Sequence, residues 1–144
     1  MKYKRVILGS SIVTAVGTLL YWTLYFTGVM PVVEVVPGYE TWFRSFVLPD
    51  FWLAIISALL AFAVITERKA LMITSGLLTA SSMFFLAFNE LGFSIDTGMI
   101  LLPLSDTWVD FTIKILLLSC GTFYIKQFSG EVGKALALSK EQAK

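Results

Sequence analysis

Four long apolar runs divide the chain, at 6–30, 51–66, 70–91 and 106–126. None shows the strict two-residue alternation of a half-buried strand, and each is long enough, or nearly so, for the roughly 20 apolar residues of a membrane-crossing helix. The first run is interrupted only by Ser, Thr, Gly and aromatic residues. It follows Lys2, Lys4 and Arg5, as a secretory leader would. Its apolar part is far longer than the roughly 7–15 residues of a leader and lacks a clean small-x-small cleavage site, so it reads as a retained helix.

Polar punctuation sets the connections. Pro31, Pro37, Gly38 and Pro49 mark the first. Tyr39, Trp42, Phe43 and Phe46 make it too aromatic for a free loop, so it is expected to lie on the membrane surface or fold back over the bundle. Pro49-Asp50 reads as a helix start with Asp50 as its cap. Glu67-Arg68-Lys69 is a tight charged turn, and 92–105 forms a second long connection. The segment 127–144 reads as a polar tail in which Val132, Leu136 and Leu138 form a helical turn or two. The expected fold is therefore all-α: a single-domain, integral membrane four-helix bundle, with a longer aromatic-rich first connection.

Charge adds an orientation. Nine of the eleven cations (Lys2, Lys4, Arg5, Arg68, Lys69, Lys126, Lys134, Lys140 and Lys144) fall at one end of such a bundle. Cytoplasmic loops carry the excess of Lys and Arg, so both termini are expected in the cytoplasm and the protein in the cell (inner or plasma) membrane. The other end is acidic, with Glu34, Glu40, Asp50, Glu90, Asp96, Asp106 and Asp110, and gathers all four tryptophans.

Composition agrees and excludes several chemistries. The chain is 57% hydrophobic and 15% charged, against about 25% charged in soluble domains. A net charge of +1 provides no field for nucleic acid. With no histidine and one cysteine, Cys120, neither a disulfide nor a usual zinc site is available within the chain. No phosphate loop, nucleophile elbow or HExxH pattern occurs, and no cofactor is expected. Cys120 lies in an apolar helix without a nearby base and reads as packing.

Two features remain. Lys114 lies about 12 Å down the fourth span at 1.5 Å per residue. A cation there costs from about 2.5 to above 10 kcal/mol and needs a partner. Asp110 sits one turn earlier, and Asp106 one turn before that. Asp50, Asn89, Glu90 and Arg44 are expected at the same level, so Lys114, Asp110, Glu90, Asn89, Asp50 and Arg44 form a candidate ligand site. The competing account is structural. Thr107-x-x-Asp110 resembles a capping box, and Lys114 then neutralises Asp110 or Glu90 and pins helices together. The second feature is a stripe of Ser10, Thr14, Thr18, Tyr21 and Tyr25 at helical spacing. Such a stripe packs against neighbours or lines a cavity for a small amphipathic molecule.

The stretch Arg44-Ser45-Phe46-Val47-Leu48-Pro49-Asp50-Phe51-Trp52-Leu53-Ala54 resembles the connection between the first two helices of small four-helix membrane proteins of bacteria. The basic turn after the second helix and Glu90 closing the third add to that resemblance. It implies the fold and no activity. Binding or transport of a small polar or ionic ligand, or of protons, is the first functional expectation. An accessory subunit docking a membrane partner through small-residue faces such as Ser75, Gly76, Thr79 and Ala80 is the second. A membrane enzyme is third, because acid and base candidates are few.

Overall fold

In the computed structural model, the backbone of residues 3–142 is described, together with its side chains except those of 104–106 and 134–142. The element order is α1 (Lys4–Phe26), α2 (Tyr39–Arg44), α3 (Val47–Ile65), α4 (Lys69–Asp96), a 3-10 turn (Met99–Leu101) and α5 (Leu104–Gln142). No strand occurs among the described residues. Four helices are long and apolar enough to cross a membrane, α2 and α3 acting together as one span over Tyr39–Ile65. Their outer faces carry exposed Val16, Leu20, Ile55, Phe62, Phe85, Phe88 and Ile115. Hydrocarbon is the solvent that suits such a surface.

Local chemistry explains the ends. After α1, Gly28 takes a left-handed φ of 74°. Its N–H reaches the Tyr25 carbonyl, and the Val29 N–H reaches that of Leu24. This Schellman closure stops the helix at Phe26, four residues before the apolar run ends. The break between α2 and α3 falls at Ser45-Phe46. Pro49 has no N–H for the Ser45 carbonyl and its ring crowds that group, so a continuous helix is interrupted there. Asp50 is consequently inside the first turn of α3, and Phe46 holds the cap position without a side-chain hydrogen bond. The expected Asp50 cap does not form.

Two further expectations change. The helix α5 starts at Leu104, so Thr107 is already helical and its hydroxyl lies 3.4 Å from the Pro103 carbonyl. The capping box with Asp110 is not built. Beyond residue 126, α5 continues without a break to Gln142 instead of forming a turn or two. Lys, Glu, Ala, Leu and Gln dominate 131–142, and these are strong helix formers. At 1.5 Å per residue α5 is about 58 Å long, nearly twice a hydrocarbon core of about 30 Å.

The helices pack in chain order, α1 on α3, α3 on α4 and α4 on α5. The small-residue face of α4 is consumed in the last contact. A Cβ on Gly76 would collide with the Phe128 ring, and one on Gly121 would sit 3.2 Å from Phe84. Lys4 pairs with Glu67 at 2.5 Å, which brings the start of α1 to the α3–α4 turn. The last helix returns to the same end, where Tyr124 and Ser10 hydroxyls meet at 2.7 Å and Tyr3 edges onto Phe123 at 6.0 Å. Away from these contacts α1 and α5 stand apart, and that separation creates the site.

Candidate functional site

A cavity of about 530 Å³ lies between α1 and α5. Its α1 wall is the polar stripe of Ser10, Thr14, Thr18, Tyr21 and Tyr25, all five of which line it. Helical periodicity puts these residues on one face, and the absence of a packed α5 leaves that face open. Ser10 still donates back to its own helix, 2.8 Å from the Val6 carbonyl. Ser10 therefore satisfies itself locally and also forms part of the wall.

The cavity is capped at its acidic end by the first connection. Val32, Tyr39, Trp42 and Phe43 face into it. These rings hold one another. Trp42 stacks on Phe93 of α4 with centroids 4.0 Å apart, and Phe43 lies 5.0 Å from Trp22, 5.2 Å from Tyr25 and 5.9 Å from Tyr21. The aromatic residues of 39–46 thus pack together as a cover over this end of the cavity.

Three carboxylates reach the wall, Asp50 from α3, Glu90 from α4 and Asp110 from α5. Their partners differ. Asp110 pairs with Lys114 one turn along α5. Asp50 accepts a 2.9 Å hydrogen bond from the indole N–H of Trp22, a residue only 1% exposed. That bond ties α1 to α3 through the core. Glu90 has no such support: its Oε2 is buried and makes no hydrogen bond. Unsatisfied buried polar atoms are rare in native structures, and each calls for a physical explanation.

Lys114 itself is 8% exposed and lies beside the cavity wall, not on it. Its ammonium bonds Asp110 and donates to the Ser94 hydroxyl of α4 at 2.7 Å. Ser94, which spacing in the sequence did not single out, passes the bond on at 2.8 Å to the Glu90 carbonyl. The lysine thus clamps α4 to α5 and fixes the backbone from which Glu90 projects. Lys114 and Asp110 form an ion pair, and Asp50 and Glu90 reach the cavity wall without a salt-bridge partner among the described residues.

The remaining candidates lie elsewhere. Asn89 is exposed, donates back to the Phe85 carbonyl at 2.9 Å, and borders a shallow surface cleft with Phe93 and Asp96. Arg44 is exposed, bonded to Glu40 at 2.7 Å and to the Tyr25 hydroxyl at 2.8 Å. It orients Tyr25 without joining the carboxylates. The side chain of Asp106 is outside the described residues. Cys120 lines the deep end of the cavity.

Among the described residues no group of three or more acidic or cysteine side chains is arranged to hold a metal ion. Chemically the arrangement can bind: it offers two carboxyl groups without a salt-bridge partner among the described residues, several hydroxyls and aromatic faces around a half-open space. It offers no nucleophile beside a base. Compared with known proteins, the chain matches no family model, no curated protein and no solved structure.

Proposed function

We propose that this chain is a multi-pass protein of the cell (inner or plasma) membrane, with both ends in the cytoplasm, that binds or carries a small polar or ionic ligand, or protons. The ligand occupies the α1–α5 cavity, which then opens in the outer half of the bilayer. The observation that carries this reading is Glu90, a residue that lines a sizeable cavity and whose Oε2 is buried without a hydrogen-bond partner. Burying an unpaired carboxylate is costly, and ionisable groups inside a membrane mark ligand or ion paths by default. The orientation is supported by Lys4, Arg5, Arg68 and Lys69 sharing one end. The accessory-subunit reading has less to stand on, since the α4 face of Gly76 is already covered by Phe128.

Thiol accessibility tests the reading. In a Cys120→Ser background, Thr18→Cys should react with a water-soluble methanethiosulfonate added outside intact cells. Val16→Cys, which faces the surroundings of the bundle, is the control. Reaction of Thr18→Cys at least about tenfold faster than Val16→Cys is expected, because a water-filled cavity ionises thiols and hydrocarbon does not. Equal, slow reaction at both positions overturns the reading.

A further inference from the structure

The cavity has two different boundaries, and together they define a class of ligand. Toward the acidic end the wall is aromatic and carries two carboxyl groups. Tyr21 of α1 and Tyr39, Trp42 and Phe43 of α2 approach it from two segments of chain, with Asp50 and Glu90 beside them. Neither carboxylate pairs with a cation among the described residues, and Lys114 is committed to Asp110 and Ser94. The complement of such a wall is a positive charge. The ring faces beside the two carboxyl groups favour a cation that is recognised through them. Substituted ammonium groups fit that description, because they gain from aromatic quadrupoles and carry little hydration to lose. The rings are fixed by mutual packing, so little ordering is required on binding.

Toward the side, the boundary is apolar and open. Val13 on α1 and Val109 and Leu116 on α5 line the cavity, yet are 71%, 39% and 56% exposed. They form the lips of the gap where α1 and α5 do not pack. In a bilayer that gap faces acyl chains, and an alkyl tail can lie across it without leaving hydrocarbon. A volume of about 530 Å³ holds a head group and the first part of a tail, not a whole lipid.

We infer that the cavity takes a single-tailed amphiphile with a substituted-ammonium head, entering sideways between α1 and α5 so that its head meets Glu90 and Asp50 and its tail rests on Val13 and Leu116. This rests on the cavity being a ligand site. The proton remains the competing cation, and it would need neither the aromatic wall nor the lateral opening.

The test is equilibrium binding of radiolabelled decyltrimethylammonium to the full chain in lipid nanodiscs, with uptake by protein-free nanodiscs subtracted. Saturation at one site per chain is expected. Unlabelled probe should displace it and decyl sulfate should not, and tetramethylammonium should compete at least about tenfold more weakly for want of a tail. Glu90→Gln and Tyr39→Leu should each weaken binding by about tenfold or more, with Asn89→Ala unchanged. Two cavity-wall variants are used so that a folding defect in one, seen in its thermal midpoint, does not decide the result. No saturable binding, equal displacement by decyl sulfate, or full binding by folded Glu90→Gln overturns the inference. If Thr18→Cys is accessible in the thiol experiment, these results remove the ammonium amphiphile alone. If it is not, the underlying ligand reading falls as well.

Discussion

A lysine in an apolar helix needs an anion and somewhere for its remaining hydrogens to go. Lys114 finds both in Asp110 and Ser94. Glu90, on α4, has a buried Oε2 that finds no donor. The two residues should therefore respond oppositely to replacement. Lys114→Met leaves Asp110 as a lone anion at 16% side-chain exposure, and loss of one partner from a buried pair costs about 3–5 kcal/mol. Lys114→Met/Asp110→Leu should recover most of that. Glu90→Met removes an unsatisfied buried group and should stabilise by about 1–3 kcal/mol. Thermal midpoints of the purified variants in one detergent measure all three. A Glu90→Met variant that melts earlier than the parent would mean that the carboxylate has a stabilising partner, and the case for an open site would fail. A stable but ligand-blind Glu90→Met is the pattern expected where function is held at the expense of stability.

Among the elements, Gly76 gives the sharpest contrast. Glycine inside a helix ordinarily costs about 0.5–1 kcal/mol relative to alanine. At Gly92, where an added Cβ meets nothing within 4 Å, Gly92→Ala should gain that amount. At Gly76 the same change drives a methyl into the Phe128 ring, and overpacking of this kind costs about 1–3 kcal/mol. Phe128→Leu should relieve it, so Gly76→Ala and Phe128→Leu together should cost less than their sum in a double-mutant cycle. Additive effects would mean that α4 and α5 do not pack there. This pair also marks what the sequence can reveal. The four-residue spacing of Ser75, Gly76, Thr79 and Ala80 announces a face for close approach, but its partner, Phe128, is some fifty residues away and no local pattern names it. The four spans were legible because hydrocarbon demands long apolar runs regardless of packing. The stripe from Ser10 to Tyr25 was legible as a face, and whether a helix covers it depends on α5. Lys114 drew notice because a charge stands out in an apolar run. Glu90's isolation and Ser94's support arise only from how α4 and α5 meet. Pro49-Asp50 was misread as a cap because the proline's effect falls four residues upstream, at Ser45-Phe46.

At the scale of the whole molecule, geometry and charge make separate statements. The contacts of Lys4 with Glu67 and of Ser10 with Tyr124 place the start of α1, the α3–α4 turn and the late part of α5 at a common end, whichever way the bundle faces. Which compartment receives that end is an electrostatic matter, settled during insertion by Lys and Arg in short loops. Single cysteines in a Cys120→Ser background can read it. Val33→Cys, on the exposed first connection, should be labelled in intact cells by a membrane-impermeant maleimide. Thr66→Cys, at the basic turn, should be labelled only after permeabilisation. Reversal of both would leave the bundle intact but open the cavity to the cytoplasmic leaflet, and a ligand would then come from inside the cell. Labelling of both from outside would contradict the helical span Tyr39–Ile65 crossing between them, and with it the bundle. Replacing Arg68 and Lys69 by glutamine should weaken the bias without inverting it, because Lys2, Lys4 and Arg5 still hold the N-terminal end and the first helix usually dominates.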